Sequence, residues 1–418
     1  MAIDKEWRKK ELSVGELAKK YSNIPKSIIL KMSIKHRGMI FTEAAKALFD
    51  PKIHQSLSMG LGLHNGQASN IPEGLTLADG SDLVFCNTSE SEHQRDPYIV
   101  DEIDGKIYIT DEGEPLVEAY FWEKPDFYDK YTSDGKPLKN FVSARPQRLE
   151  ASLSHYCHFW DNPGEGCKYC SVSPNFLKYK ISTEERTNID YMAEAFQEAL
   201  KQKGRFSAVV LSGGSILSGE EPFDDEVDGY IELLQRIGEN FSTKKFPSQL
   251  ISTAFSEKQL IRLYENTGIM TYTADIEVLN KEKFNWICPG KARHVGFDEW
   301  KQRLYTAVDI FGKGNVNTAF VLGTELAKPN GFTDKEEAFK ANLETAQELA
   351  EHGVGFAANI WSAAPNSIFA NQQTPDLEYY VRFFQELDIL ARKHNLNRFI
   401  DDYRRCGSHI GNDLLRVI

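Results

Sequence analysis

Three cysteines stand close together near the middle of the chain and are its clearest sign of chemistry. Cys157, Cys167 and Cys170 fall within fourteen residues, while the other three of the six cysteines are scattered. Soft thiolate ligands select zinc or an iron–sulfur cluster. A structural zinc site normally has four protein ligands, whereas a cluster held by three cysteines leaves one iron open to an exchangeable ligand. The three cysteines therefore predict a metal centre with an open position.

Composition limits the class of protein in which this centre stands. The 418 residues carry 49 Lys plus Arg against 61 Asp plus Glu, a net charge of −12, which argues against nucleic acid as a partner. The N-terminal segment lacks the apolar stretch of a signal peptide, and the chain has no apolar run long enough to span a membrane. We therefore expect a cytoplasmic protein without a membrane partner. In that reducing compartment clustered cysteines are better metal ligands than disulfides.

A zinc site is the main alternative to an iron–sulfur cluster. His155 and His158 flank the first cysteine, and either could complete a site with three cysteines and one histidine. The segment 161–164, Asp-Asn-Pro-Gly, has the residues of a turn. We expect that turn to fold the loop back and to bring Cys157 beside the closing Cys-x2-Cys pair.

The cysteine loop must be positioned by the elements around it, which change character at about residue 148. From there strand-like apolar runs alternate with amphipathic helical patterns, which predicts parallel strands joined by crossover helices. Six such units in succession predict an α/β fold built on a partial (β/α)6 barrel. The loop follows the first strand, at the end where such barrels carry their active sites. The predicted strands are 149–154, 207–212, 249–254, 271–278, 316–322 and 356–361, and the helices are near 190–203, 226–239, 257–267, 297–312, 333–352 and 376–394.

The flanking segments complete a three-part organisation. Residues 1–145 form an N-terminal accessory region, helical to about 50 and β-rich from about 80, with turns at Asp104-Gly105 and Asp134-Gly135. Residues 146–365 form the barrel core, and 366–418 form a C-terminal helix and tail. We expect the two flanking parts to cover the barrel.

The cysteine motif resembles that of the radical S-adenosylmethionine (radical SAM) superfamily. Its members carry three cysteines in the loop after the first strand of a partial (β/α)6 barrel, with an aromatic residue before the last cysteine, where this chain has Tyr169. The usual spacing is Cys-x3-Cys-x2-Cys, whereas this chain has Cys157-x9-Cys167-x2-Cys170. A nine-residue first gap is similar to that of the radical SAM domain of the Elongator catalytic subunit.

The resemblance implies a set of residues that bind S-adenosylmethionine (AdoMet). The segment Ser212-Gly213-Gly214-Ser215 stands in place of the family's Gly-Gly-Glu motif, which binds the AdoMet amino group, with Ser215 where the acid is usual. Strand alternation turns Asp275 and Glu277 to one face, where family members contact the ribose or the amino acid part. Gly323 and Glu325 correspond to a region that packs against the adenine.

The same resemblance implies the reaction. A [4Fe–4S] cluster bound by Cys157, Cys167 and Cys170 would cleave AdoMet reductively, and the resulting 5′-deoxyadenosyl radical would abstract hydrogen from a small-molecule substrate or a small carried group. Because the cysteines indicate no second cluster, we expect electrons from an external donor such as a flavodoxin or ferredoxin. Cys288 could donate a hydrogen atom to a product radical, although a packed structural thiol is the other interpretation.

Two further interpretations stay open at this point. One is a tRNA-modifying radical SAM enzyme, suggested by the nine-residue gap, and the other is a zinc-stabilised barrel that acts as a binding module. Cys406 and His409 have the spacing of a ligand pair without further partners, and Cys86 lies in a strand-like run typical of a core.

Several charged residues near these motifs are interpreted as exposed. The acidic runs Gly219-Glu220-Glu221 and Asp224-Asp225-Glu226 are expected to cap and solvate the helix that follows. Lys291, Arg293 and Arg303 could help to bind an anionic substrate, but scattered basic residues are more typical of solvated surface.

Overall fold

The computed structural model describes residues 5–56, 72–84, 95–179, 187–396 and 410–417. Within them the chain forms two β-sheets and the helices that surround them. Cys86, Cys406 and His409, which the sequence analysis singled out, lie outside the described residues. No described helix is both long enough and apolar enough to cross a membrane.

An N-terminal sheet of six strands is built from short, mostly antiparallel pairs. Its strands are β1 (Met39–Phe41), β2 (Gly74–Leu77), β3 (Asp82–Val84), β4 (Tyr98–Ile103), β5 (Lys106–Asp111) and β6 (Glu114–Phe121), in the order β1-β4-β5-β6-β2-β3. The predicted turn at Asp104-Gly105 is confirmed, since both residues have positive φ and join β4 to β5 as a hairpin. The sheet packs around its own small apolar core.

The second sheet contains the predicted barrel strands in sequence order. They are β7 (Ser143–Arg145), β8 (Arg148–Ser152), β9 (Ala208–Ser212), β10 (Ser248–Ser252), β11 (Thr271–Ala274), β12 (Val316–Leu322) and β13 (Gly355–Ile360). From β8 to β13 all neighbours pair in parallel, and β7 adds an antiparallel edge to β8. The partial (β/α)6 barrel predicted from the alternation of strands and helices is therefore confirmed.

Helices cover this sheet in the crossover positions that parallel strands require. The helices between β8 and β13 are α4 (Val172–Tyr179), α5 (Ile189–Ala199), α6 (Asp224–Gly238), α7 (Glu257–Asn266), α8 (Lys281–Ile287), α9 (Pro289–His294), α10 (Phe297–Phe311) and α11 (Lys335–Glu351). Before the barrel strands come α1 (Val14–Lys20), α2 (Lys26–Arg37) and α3 (Glu43–Ala47), and after them come α12 (Leu377–Lys393) and α13 (Ile410–Val417). Side-chain caps define where several begin. Asn188 caps α5, Ser256 caps α7 and Asp376 caps α12, as short polar residues do at N-caps.

One apolar core runs through the barrel and into both flanking regions. Strand residues such as Leu211 and Leu250 pack against helix residues such as Leu233 and Trp300. The same cluster includes Ile28 of α2, and α2 also contacts α12 and α13. The N-terminal helices, the barrel and the C-terminal helices thus share one interior.

One predicted strand ends early, at a point that matters for the site. The pattern predicts a strand over 271–278, but β11 ends at Ala274. Beyond Ala274 side chains replace backbone partners, since the Ala319 N–H donates to the Asp275 carboxylate (3.0 Å) and the Ile276 N–H donates to the Thr318 hydroxyl (2.9 Å). Glu277 then has a φ of 69°, which is incompatible with an extended strand. Glu277 keeps a single parallel bridge to Phe320, through its N–H to the Ala319 carbonyl (2.9 Å). The alternation argument for Asp275 and Glu277 therefore fails, although both reach the same cavity, as described below.

Arg95 joins the N-terminal region to the chain segment that leads into α12. Its guanidinium is buried, and it donates hydrogen bonds to Glu11 (2.5 Å), to the Thr374 hydroxyl (2.9 Å) and to the Pro375 carbonyl (3.1 Å). We expect Arg95→Met to lower the free energy of unfolding by about 3 kcal/mol, because it leaves the Glu11 carboxylate half-buried without its partner. Chemical denaturation measures the loss.

The matched control is Arg236→Met, which removes an exposed ion pair with Asp190. An exposed pair of this kind contributes less than about 1 kcal/mol. Equal losses in the two variants would show that Arg95 does not connect the two regions in the way described.

Candidate functional site

A cavity of about 320 Å³ opens at the carboxyl ends of β8, β9, β10 and β11. All three clustered cysteines line it, as do most of the residues that the sequence assigned to ligand binding. The predicted residues that line it are Cys157, Cys167, Tyr169, Cys170, Ser212, Gly213, Gly214, Ser215, Asp275 and Glu277. These residues come from three separate loops, so the fold brings together what the sequence keeps up to 120 positions apart.

The cysteine loop folds back on itself as its turn residues predict. Cys157 precedes a short 3-10 turn, His158–Trp160, and Gly164 then takes a positive φ of 84°. Glu165 anchors the far side of the loop on α9, where its carboxylate contacts Arg293 and His294 (3.0 Å). The nine residues between Cys157 and Cys167 thus form a loop that leaves the cavity and returns to it.

Backbone hydrogen bonds hold the second half of the loop against the segment that links α8 to α9. The Lys168 N–H donates to the Ile287 carbonyl (2.9 Å), and the Gly290 N–H donates to the Glu165 carbonyl (2.8 Å). A Cβ at Gly290 would lie 2.6 Å from that same carbonyl oxygen and 2.8 Å from the Phe159 ring. Only glycine permits this approach, so Gly290 is part of what positions the cysteines.

The three thiols are suited to metal ligation and unsuited to act as free nucleophiles. Burial, together with the neighbouring Cys167, raises the pKa of Cys157 to about 11 and that of Cys170 to about 12. A hydrogen bond with Cys288 and burial raise the pKa of Cys167 as well. Such thiols stay protonated near neutral pH unless a cation stabilises the thiolates. The cluster that the sequence predicts would supply that cation.

Backbone N–H groups are already directed at the sulfurs. The Phe159 and Ser215 N–H groups donate to the Cys157 sulfur, and the Val172 N–H donates to the Cys170 sulfur. Each of these bonds favours the thiolate and lowers the pKa of its cysteine in part. Hydrogen bonds to sulfur are among the features by which proteins tune iron–sulfur centres.

The glycine pair after β9 is required by the first cysteine. A Cβ at Gly214 would lie 2.4 Å from the Tyr156 carbonyl oxygen and 2.6 Å from the Cys157 nitrogen. The Gly214 N–H donates to the Ser154 carbonyl (2.8 Å), which ties the loops after β8 and β9 together. The Gly-Gly turn predicted to bind a ligand therefore also makes room for the cysteine loop.

A buried ion pair forms another wall of the cavity. The Lys291 ammonium on α9 donates to the Glu277 carboxylate (2.8 Å) and to the Asp275 carbonyl (2.5 Å). Burial opposes its charge, but Glu277 and the nearby cysteines raise the pKa of Lys291 above its usual range. The expectation that Lys291 is solvated surface is wrong, because the helix that starts at Pro289 turns it inward.

Glu226 is the second charged residue that the sequence analysis misjudged. It was expected to solvate α6, but it is fully buried. Its carboxylate accepts hydrogen bonds from the Ile216 N–H (3.0 Å), the Thr253 N–H (3.3 Å) and the Thr253 hydroxyl (3.0 Å). Burial raises the pKa of Glu226 to about 7, and these donors offset only part of the increase.

A signal for Glu226 was present in the sequence. It occupies the apolar face of α6, one position before Val227 and four before Tyr230, at the 3.6-residue period of the core positions. Burying an acid costs free energy unless it is hydrogen-bonded or paired, so an acid on the buried face of an amphipathic helix indicates a structural or functional role. The neighbouring acids Asp224 and Asp225 concealed this pattern, because a run of acids at a helix start is usual for capping.

The two histidines that could complete a zinc site do not join the three cysteines around one point. His158 faces Asp161 (3.6 Å) and does not line the cavity, while His155 lines the cavity and stacks on Phe176 (5.5 Å between ring centroids). Among the described residues, no three His, Cys, Asp or Glu side chains surround a position for a single ion. Because each thiolate of an iron–sulfur cluster binds its own iron, a cluster does not require the sulfurs to meet at one atom.

Three predicted residues lie outside the cavity. Cys288 is fully buried behind Cys167, so its predicted role as a hydrogen donor stays a prediction. The Glu325 carboxylate accepts from the Tyr379 hydroxyl (2.6 Å) and the Gly323 N–H (2.8 Å). The contact that Gly323 and Glu325 would make with an adenine likewise stays a prediction.

Comparison with known proteins gives one curated relative and several solved structures. The chain is 23% identical over 392 residues to bacteriochlorophyllide c C-7(1)-hydroxylase of Chlorobaculum limnaeum, covering 88% of this chain and 87% of the relative. No family model matches the chain.

The solved structures are more distant in sequence. A radical SAM methyltransferase from Sphaerobacter thermophilus is 13% identical with a TM-score of 0.40, covering 91% of this chain and 92% of the other. A methylornithine synthase is 15% identical with a TM-score of 0.39, covering 62% and 74%.

We expect Gly214→Ala to destabilise the protein and to displace the cysteine loop. The added Cβ would overlap backbone atoms of Tyr156 and Cys157, which cannot move without shifting the loop. Overpacking of this kind costs about 2 kcal/mol. Thermal unfolding measures the loss. Gly15→Ala is the control, since the nearest atom is 4.0 Å away, and a smaller loss in Gly214→Ala than in this control would contradict the geometry.

We expect Glu226→Gln to change how stability depends on pH. The folded-state pKa of Glu226 is about 7 against a usual 4.5, so the folded chain retains a proton in that window and its stability falls as pH rises through it. Glutamine does not titrate. The free energy of unfolding of the variant relative to wild type should therefore increase by roughly 2 kcal/mol between about pH 5 and about pH 8.

Chemical denaturation at the two pH values measures this difference. Glu232→Gln, at an exposed position on the same helix, should not reproduce the gain. A gain that is equal in both variants, or absent from both, would mean that the Glu226 carboxyl does not titrate as its burial requires.

Proposed function

We propose that this chain is an enzyme of the radical SAM superfamily, that it binds a [4Fe–4S] cluster through Cys157, Cys167 and Cys170, and that it uses this cluster to cleave AdoMet reductively. The observation that supports this most directly is the meeting of three buried or half-buried thiols in one cavity at the carboxyl ends of the barrel strands. When bound and reduced, the cluster supplies the electron that breaks the AdoMet sulfonium and starts hydrogen abstraction from a substrate.

The residues of the protein would bind the cluster, orient AdoMet beside it and protect the reactive intermediate. The cysteine loop holds the three thiols at fixed places, and the N–H groups of Phe159 and Ser215 stabilise the Cys157 thiolate. Tyr169 and the segment Ser212–Ser215 line the cavity beside the cysteines, where they can contact AdoMet. Asp275 and Glu277 line the same cavity from the end of β11 and offer carboxylates to its ribose or amino acid part.

The flanking regions would cover this cavity. Their helices share the barrel's apolar core, and Arg95 joins residues 1–145 to the segment that begins the C-terminal region, 366–418. A covered cavity keeps water and oxidants from a radical intermediate. We therefore assign the chemistry to the core, 146–365, and its enclosure to the two flanking regions.

The substrate class we propose is a small molecule or a small group carried by a larger one. The cavity is compact, and Lys291, the lysine in its lining, is already paired with Glu277, which does not suit a polyanion such as tRNA. The curated relative is named for a hydroxylation. That reaction replaces a carbon–hydrogen bond of its substrate, as hydrogen abstraction by a radical does. Electrons would come from an external one-electron donor such as a flavodoxin or ferredoxin, in a reducing compartment such as the cytoplasm, where the four described cysteines stay free thiols.

The test is to purify the protein anaerobically, reconstitute it with iron and sulfide, and measure metal content and 5′-deoxyadenosine formed from AdoMet after reduction. We expect about four irons per chain, with iron binding and AdoMet cleavage both lost in Cys157→Ala, Cys167→Ala and Cys170→Ala. Each variant removes one of the three thiolates that the cluster needs.

Cys288→Ala is the matched control, because this thiol is buried next to Cys167 but lies outside the cavity. It should retain iron. One zinc per chain, no iron and no cleavage would refute the proposal and favour a zinc-stabilised barrel instead. Salt-sensitive binding of tRNA would favour the tRNA-modifying alternative.

A further inference from the structure

Cys288 is a buried thiol that lies beside the metal-binding loop without being one of its three cysteines. It is inaccessible to solvent and lies outside the cavity that Cys157, Cys167 and Cys170 line. A free cysteine often packs in a core simply as a small apolar side chain. The backbone around Cys288 indicates a more specific role.

The segment that contains Cys288 runs antiparallel to the second half of the cysteine loop. The Gly290 N–H donates to the Glu165 carbonyl (2.8 Å), and the Lys168 N–H donates to the Ile287 carbonyl (2.9 Å). These two bonds connect the segments in opposite order along the chain, since the later residue of one segment bonds to the earlier residue of the other. The pairing is therefore that of two antiparallel chains.

Cys167 and Cys288 occupy facing positions between these two bonds. Stepping along both segments from either bond leads to the same pair, Cys167 opposite Cys288. Residues that face each other across antiparallel chains have their Cβ atoms about 5 Å apart, within reach of two sulfurs. A hydrogen bond does join the two side chains, and both are buried.

The backbone of Cys288 leaves its thiol as the polar group that can act on the loop. Cys288 joins the end of α8 to the start of α9. Its N–H donates to the Phe284 carbonyl (2.8 Å), and its carbonyl accepts from the Ala292 N–H (3.0 Å). Both backbone groups are thus used by the helices, which also fix where the side chain begins.

Metal binding would set the direction of the hydrogen bond between the two sulfurs. Two thiols can donate to each other in either sense. A cysteine that binds a metal has lost its proton, so Cys167 could then only accept. Cys288 would keep its proton, because a second buried negative charge beside the Cys167 thiolate is costly. The S–H group of Cys288 would therefore donate to the Cys167 sulfur.

We propose that Cys288 is a positioning residue that donates a hydrogen bond to the Cys167 sulfur and thereby raises the reduction potential of the metal centre. This assignment rests on the proposed function. A donor at a ligand sulfur stabilises negative charge on the centre, and the reduced centre carries one electron more than the oxidised one. The centre then accepts an electron from a weaker reductant. This role leaves the sulfur–hydrogen bond of Cys288 intact and does not require it to reach the cavity.

The test is the midpoint potential of the reconstituted protein, measured by anaerobic redox titration followed through the electron paramagnetic resonance of the reduced cluster. In Cys288→Ala we expect the equilibrium constant for reduction to fall about tenfold, the scale of one hydrogen bond to a charged group. For a one-electron couple this is a shift of about 59 mV to lower potential. Cys288→Ser keeps a donor and should lie closer to wild type. Iron content should be the same in all three proteins.

Two further variants separate the hydrogen bond from packing. Cys288→Val fills the space without a donor and should reproduce the fall in potential. Ile287→Val loosens the packing of the same segment without removing a donor, so it should keep the wild-type potential.

An unchanged potential in both Cys288→Ala and Cys288→Val, or an equal fall in Ile287→Val, would overturn the assignment and leave the proposed function intact. Loss of iron from Cys288→Ser would indicate that Cys288 is itself a ligand and would also overturn it. A wild-type protein that assembles no iron–sulfur cluster would refute the proposed function, and the assignment with it.

Discussion

The site depends on how the long cysteine loop is fastened. A nine-residue excursion separates the first two thiols, and fixing so many residues in one conformation carries a large entropic cost. The chain offsets that cost by docking the loop on α9, through the Glu165 side chain and the backbone bonds at Lys168 and Gly290. Gly214 permits a close approach to Tyr156 and Cys157, and Gly290 permits one to Phe159 and Glu165. The thiols, the glycine turn and the buried lysine all take their places from this docking.

Electrostatics is the second constraint on the site. Three thiols and the carboxylates of Asp275 and Glu277 line the cavity. Among the described lining residues, the buried Lys291 of α9 carries the positive charge that pairs with Glu277. Burial holds the thiols protonated near neutral pH and raises the pKa of Glu226 to about 7. These groups become negative only when a positively charged group binds beside them, since such a group stabilises their deprotonated forms.

Much of this arrangement follows from local sequence patterns. Strands and helices of the barrel were predicted to within a few residues because their apolar periods are long and regular, as in α10 and α12. Most of the predicted ligand-binding residues were found around one cavity, since parallel strands bring their carboxyl ends to the same side.

What the patterns did not predict depends on tertiary contacts. The early end of β11 comes from the side chains of Asp275 and Thr318, which replace backbone partners across the two strands, and no local sequence signal indicates this. Lys291 is buried because α9 is docked under the cysteine loop, and an isolated lysine carries no mark of that environment. Glu226 could have been recognised from its place on the apolar face of α6, but its hydrogen bonds with Thr253 come from another strand end.

The incompleteness of the barrel has a consequence for the evolution of specificity. A closed eight-stranded barrel fills its interior with side chains, so its strands limit what can enter. Here six parallel strands form an arc, with β7 against one edge and helices α2 and α13 beside the other. Elements outside the arc border its opening, and they carry none of the cysteines that line the cavity. Mutations there could admit larger or smaller molecules while the three cysteines kept their positions, so related chains could change substrate and keep the same reactive site.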